Sequence, residues 1–174
     1  RGDRVSFIHE MFFSMCSAEA AIRSAGRNIG SINKSLISPK FFSAKIFILG
    51  GIEDELILNE VISGCKDREL ISACARGECG VAAQIIVVRR IEKILELMVI
   101  ESKNSRFQIT GEGWSGVGVD VSCIDSELEG CDAYIAAISE SIIKGNYLDV
   151  VMTACQNLDN SIEDFKQKNI SEIK

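Results

Sequence analysis

AAQIIVVRRIEKILELMVI, residues Ala82 to Ile100, is the stretch whose reading decides the fold. Its first half, AAQIIVVRR, is a continuous apolar run rich in β-branched residues, the pattern of a central strand covered on both faces. Its second half, RIEKILELMVI, sets Ile91, Ile94, Leu95 and Met98 on one stripe opposite Glu92, Lys93 and Glu96, as an amphipathic helix does. A strand leading straight into a helix predicts an α/β architecture.

Working outward, VSFIHEMFF (Val5 to Phe13) has the aromatic and branched residues of a strand, and SAEAAIRSAGRN those of a helix with Ser17 as its cap. SINKSLI alternates as a short strand. SPKFFSAKIFILGG is a helix candidate with Ser38 as cap, Pro39 at the first position and Gly50-Gly51 as terminator, a strand being the runner-up. DELILNEVISG is short and apolar and reads either way. KDRELISACARG places Leu70, Ile71, Cys74 and Ala75 on one helical face and stops at Gly77. RFQIT and VGVDVSCI read as strands. SELEGCDAYIAAISESIIKG predicts a helix turning Leu128, Cys131, Tyr134, Ile135, Ile138 and Ile142 inward. YLDVVMTACQNL repeats that spacing with Leu148, Val151, Met152 and Cys155. The expected fold is therefore α/β (α+β): one domain over 1–158, a mixed β-sheet covered by helices, and two carboxyl-terminal amphipathic helices. Residues 159–174 form a polar tail or terminal helix.

The chain has 174 residues, 47% hydrophobic and 25% charged, enough to build a core without staples. Its net charge of -6 opposes a nucleic-acid grip spread over the whole surface, which would rest on lysine and arginine. Arg89, Arg90 and Lys93 are the local anion patch where any tRNA or other RNA contact is expected; their bland reading is a charged rim. No membrane span and no signal peptide are legible, so a cytoplasmic location is expected. The seven cysteines have no tight pairing pattern and read as reduced, mostly buried small hydrophobes. Cys65, Cys74 and Cys79 lack the spacing of a zinc knuckle, so neither a metal nor a cofactor is expected.

GEGWSGVGVD, Gly111 to Asp120, matches G-x-G-x-x-G at Gly111, Gly113 and Gly116, with Gly118 two residues on. A dinucleotide loop must open into a helix whose N–H groups hold the pyrophosphate. Here an extended segment follows, which predicts a hairpin with Trp114 at its tip. Kinase and Walker-type segments that would complete a nucleotide site are absent. His9 is the single histidine and no nucleophile elbow surrounds any serine or cysteine, so no catalytic site is expected. In ACARGECG, Arg76 could lower a thiol pKa, and Cys79 reads as the more exposed thiol there. The acidic groups IEDE and DSELEGCD read as solvated helix starts.

The order of several elements resembles the PRPK-binding protein family, the small accessory subunit that partners the atypical kinase of the KEOPS complex. The residues behind the resemblance are SAEAAIRSAG followed by SLISP, then NEVISGCKDRELISACARG, then AQIIVV with RIEKILELM. The chain departs from the family pattern between Pro39 and Glu60, and GEGWSGVGVD has no counterpart in it. The resemblance implies a non-catalytic regulatory subunit that binds an atypical protein kinase and supports threonylcarbamoyladenosine modification of tRNA. The expected partner surface is the apolar face of Leu148, Val151, Met152 and Cys155, whose alternative is core packing. A second resemblance, of GVGVDVSCIDSEL to the dimeric regulatory domain of isopropylmalate-synthase-like enzymes, implies instead a small-molecule-binding regulatory domain or minor enzyme. That alternative would use the loop of Gly111, Gly113, Gly116 and Gly118.

Overall fold

The computed structural model describes the backbone of residues 2–104, 106–110, 118–122 and 131–172, with side chains over 9–103 and 131–167. Its helices are α1 (Gly2–Ala25), α2 (Ile29–Ile37), α3 (Lys45–Gly50), α4 (Glu55–Ser63), α5 (Arg68–Ala75), α6 (Val81–Asn104), α7 (Ile135–Ile143) and α8 (Leu148–Glu172). Short 3-10 segments precede α3 at Pro39–Ala44 and α7 at Cys131–Tyr134. Among the described residues, β-structure is confined to two antiparallel strands, β1 (Arg106–Thr110) and β2 (Gly118–Ser122), paired from Arg106↔Ser122 to Thr110↔Gly118.

The fold is all-α, which corrects the expected mixed α/β sheet. The decisive stretch is one continuous helix, α6. Ala83, Ile86, Val87, Ile91, Ile94 and Leu95 are buried while Ile85 is 44% exposed. The buried positions fall at helical spacing through the whole run, so the burial pattern has period 3.6 where a central strand would bury every residue. The four consecutive branched residues Ile85 to Val88 look like a strand because the outward-facing Ile85 is also apolar. VSFIHEMFF is likewise helical, within α1, and α1 runs straight through Ser17, which therefore caps nothing. SINKSLI lies in α2.

Two compact units are evident, one from Arg1–Ile91 with Asp132–Glu140, the other from Glu92–Cys131 with Ser141–Lys174. Most helices of the first unit are short, and helices of this length are marginal until packed, so caps and tertiary contacts make them. Asn28 Oδ1 accepts from Ser31 N at the start of α2, at 2.9 Å. Asp54 Oδ1 accepts from Leu56 N and Ile57 N at the start of α4, at 3.1 and 3.3 Å. Asp67 Oδ1 accepts from Leu70 N at the start of α5, at 3.1 Å. Pro39 stands at the first position of its 3-10 turn, and Ser38 makes no side-chain cap there. The core is aliphatic, with Ile32, Ile48, Leu49, Leu58, Val61, Ile62, Ile71 and Val87 almost fully buried. Tyr134 enters it as well, 2% exposed, its hydroxyl donating to Ile62 O at 3.4 Å. Small residues let α1 approach α3: Ala18 and Ala21 are buried, and a Cβ on Gly51 would stand 2.7 Å from Ile22 Cδ1.

In the second unit, Ile94 and Leu95 are buried, and Asn157 Nδ2 of α8 donates to Ser102 Oγ of α6 at 3.0 Å. Helix α8 is half-buried along Val150, Ala154, Asn157, Leu158, Ser161 and Phe165, and none of its described residues is fully buried. Residues 159–172 continue that helix. Gly145, with φ +87°, ends α7.

Candidate binding cleft

In the middle of α1, just after the polar His9 and Glu10, four of the five residues from Met11 to Met15 are apolar and large. Ser14, Ala18 and Ala21, at i, i+4 and i+7, face the core, where Ser14 Oγ donates to Ser43 Oγ at 3.0 Å. The other faces carry Met11, Phe12, Phe13 and Met15, which remain 40%, 57%, 70% and 45% exposed. A helix face of such side chains is normally buried. Here it borders a cleft of about 530 Å³ whose walls are Phe12, Met15 and Ile22 of α1 and Ile46 and Phe47 of α3. Its floor is the backbone of Gly50, Gly51 and Gly80 with Cys79. Glycine is required at Gly80 by a φ of +89°, and a Cβ on Gly50 would come within 3.2 Å of Cys79 O.

The rim is charged. Arg23 pairs with Glu19 at 2.6 Å, and Glu78 pairs at 2.6 Å with Arg76, which lies outside the cleft and also reaches Glu140 at 3.1 Å. These pairs are solvent-exposed, so each contributes roughly 0–1 kcal/mol and serves more to set the rim's shape than to hold it. Glu78 and Glu140 hold the Arg76 guanidinium charge above even its usual range.

Cys74 in α5 and Cys79 in the turn after it are both buried. Cys79, expected to be the more exposed thiol of its segment, is 2% exposed against 0% for Cys74, so neither faces water. The hydrogen bond from Cys74, outweighing burial, lowers the Cys79 thiol from its usual value. The same bond, together with burial, raises Cys74. Burial also pushes the Cys65 thiol up. Of the other described cysteines, Cys16 and Cys155 are exposed and Cys131 is half-buried. The expectation of mostly buried thiols thus holds for the Cys74–Cys79 pair and fails at both exposed positions.

The residues singled out in the sequence are scattered. Leu148 and Met152 stand 50% and 58% exposed and Cys155 is exposed on the same side of α8, whereas Val151 is half-buried. Arg89 and Lys93 are exposed one turn apart on α6. Arg90 is engaged elsewhere: its Nη1 donates to Ser63 Oγ at 2.6 Å and its guanidinium lies 5.5 Å from the Tyr134 ring centroid. Gly111, Gly113 and Gly116, with Trp114, Leu128 and Cys123, lie outside the described residues, and Gly118 opens β2. His9 is exposed on α1. Among the described residues no three His, Cys, Asp or Glu side chains are grouped to hold a metal ion. No helix among them is long and apolar enough to cross a membrane. The α1 face escaped the sequence reading because VSFIHEMFF looks like a strand. Its signal was the lack of any polar side in Met11, Phe12, Phe13 and Met15 together.

Comparison of the chain with protein-family models, with curated proteins and with solved structures finds no match in any of the three.

Proposed function

We propose that the chain is a non-catalytic binding subunit that receives an amphipathic helix of a partner protein in the cleft between α1 and α3. The observation that carries this reading is the exposure of Phe12 and Met15, which line that cleft, with Met11 and Phe13 exposed beside them on α1. At about 200 Å² per aromatic side chain, the two phenylalanines alone leave roughly 250 Å² of apolar surface in water. With the two methionines the patch reaches the roughly 300–600 Å² typical of a functional surface on a monomer. Two packed helices with Phe, Met and Ile walls are the receptor form of helix-in-groove recognition, and methionine suits it because its side chain repacks around different anchors. The net charge of -6 favours a partner whose helix is flanked by lysine or arginine.

The sequence resemblance supplies the first partner to assay, an atypical protein kinase acting in tRNA threonylcarbamoyladenosine modification. The strand-like stretches behind that resemblance lie in α2, α4 and α6. The reading therefore commits to the partner's chemistry, an amphipathic basic helix, and treats the kinase as one bearer of it.

Affinity capture with the wild-type chain and Phe12→Glu side by side tests this. The expected result is a partner retained by the wild type, lost with Phe12→Glu and recovered as a purified one-to-one complex. Capture that ignores the substitution would defeat the reading. So would a dimer of the chain itself, seen by sedimentation and dissolved by Phe12→Glu, which would assign the cleft to a second copy.

A further inference from the structure

A second cleft, of about 370 Å³, opens between α5 and the start of α7, lined by Arg68, Glu69, Ser72 and Arg76 of α5 and by Ala136 and Glu140 of α7. Arg68, Ser72 and Arg76 recur every fourth residue, so they share one face of their helix. Arg76 is fixed there: its Nη1 donates to both carboxylate oxygens of Glu140, at 3.2 and 3.1 Å, and its Nε to Glu78 at 2.6 Å. Arg68 and Glu69 are exposed, and neither side chain has a partner among the described residues. Ser72 is the informative member, being only 6% exposed. The other two buried serines are satisfied, Ser14 Oγ by Ser43 Oγ and Ser102 Oγ by Val99 O at 2.7 Å. Ser72 Oγ has no partner among the described residues, yet no buried side-chain oxygen or nitrogen among them is sealed away without one. The hydroxyl therefore opens into the cleft that its residue lines. A hydroxyl held this way, buried but unbonded, is available to a ligand.

We propose that this cleft binds a free α-amino acid, its carboxylate received by Arg68 and Ser72 Oγ and its ammonium by Glu69 and Glu140. The charges of the walls select that ligand. Arg68 and Arg76 are balanced by Glu69 and Glu140, and Arg76 and Glu140 already neutralise each other, so one cation and one anion are left unpaired. A simple anion drawn to Arg68 meets Glu69 and Glu140, and a simple cation drawn to Glu69 meets two arginines. A ligand carrying one charge of each sign is complementary to both. The planar guanidinium of Arg68 matches a carboxylate in two parallel hydrogen bonds, and the serine hydroxyl supplies a further donor. The volume lies near the lower end of the roughly 300–1,000 Å³ of small-molecule sites, which suits a ligand of amino-acid size. Because Arg68 and Glu69 are solvated, each contact adds modestly and the affinity expected is millimolar to submillimolar. The site does not depend on what docks between α1 and α3.

Nuclear magnetic resonance titration of the isotope-labelled full chain tests the assignment, with glycine, L-alanine, L-serine and L-aspartate as probes, each beside its N-acetyl and its amide derivative. The expected result is saturable binding of at least one free amino acid, with shifts at the amides of Arg68, Ser72 and Glu140. Both of its derivatives should bind about tenfold more weakly, since each lacks one of the two charges. Arg68→Met and Ser72→Ala should each weaken binding about fivefold or more while circular dichroism stays unchanged. Equal binding of the N-acetyl derivative would overturn the proposal in favour of a plain anion site, and equal binding of the amide in favour of a cation site. Absence of saturation by every free amino acid at millimolar concentration would also overturn it, as would binding that ignores Arg68→Met. Arg68 is exposed, so that variant decides the matter even if Ser72→Ala fails to fold.

Discussion

Asp67 shows how one side chain holds two helices. Its Oδ1 caps α5, and its Oδ2 receives Lys45 Nζ of α3 at 2.6 Å, with Lys45 only 16% exposed and its ammonium 5.1 Å from the Phe42 ring centroid. Burial pushes the Asp67 carboxyl up, but the Lys45 ammonium and the Leu70 and Glu69 N–H groups outweigh it and hold the group below the usual carboxylate value. A depressed folded-state value means that the stabilisation is complete above the unfolded value of about 3.9 and is lost as pH falls through the folded one. Asp67→Ala should cost about 1 kcal/mol from the cap alone, and more because Lys45 loses its partner. Asparagine caps as well as aspartate does, so Asp67→Asn should cost less and isolate the ion pair. Urea unfolding at neutral pH should rank wild type above Asp67→Asn above Asp67→Ala, and the gap between wild type and Asp67→Asn should close in acid. Equal losses for both variants would mean that the cap contributes nothing. Such caps are legible: IEDE reads as a helix start, and Asp54 caps α4 where that reading puts it. The burial of Cys79 was not legible, because its place in the sequence says nothing of its surroundings until the turn at Gly77 is known.

At the scale of elements, the helices over KDRELISACARG and RIEKILELMVI were visible as periodic stripes and the strands were largely misread. Branched residues favour strands as local preferences, but packing overrides them, and in α6 the apolar stripe runs unbroken from Ala83 to Leu95. Alanine substitution separates the two structures. In a strand covered on both faces Ile85 and Ile86 would cost alike. In α6, Ile86→Ala and Ile91→Ala should each cost about 2–5 kcal/mol, whereas Ile85→Ala should cost under about 1 kcal/mol, the range for a partly exposed site with a gain in helix propensity. Chemical denaturation of the three variants checks this, and a severe loss from Ile85→Ala would contradict the helix. Helix α8 was legible as an amphipathic segment whose Leu148, Val151, Met152 and Cys155 either meet a partner or pack in the core; Leu148, Met152 and Cys155 face water, while Val151 and a stripe through Val150, Ala154 and Leu158 are half-buried. Leu148→Glu should therefore leave stability within about 0.5 kcal/mol of wild type by thermal unfolding, as exposed substitutions do.

For the whole molecule, charge and composition correctly bounded the chain as one able to fold around an aliphatic core, because those properties need no knowledge of pairing. What they could not locate is the cleft, whose walls come from α1 and α3 and whose floor comes from the end of α3 and the turn after α5. Its concavity depends on Gly50, Gly51 and Gly80, and a glycine announces a close approach only after the neighbouring element is placed. The central claim is that Phe12 and its neighbours anchor a partner's amphipathic helix there. Truncating such an anchor at the centre of an interface typically removes about 2 kcal/mol or more, roughly a thirtyfold weakening. The most direct test is the dissociation constant of the purified partner, by titration calorimetry, for wild type, Phe12→Ala and Leu148→Ala, with folding checked by circular dichroism. A weakening of that size by Phe12→Ala with Leu148→Ala unchanged is the expected result; unchanged affinity in folded Phe12→Ala would contradict the account.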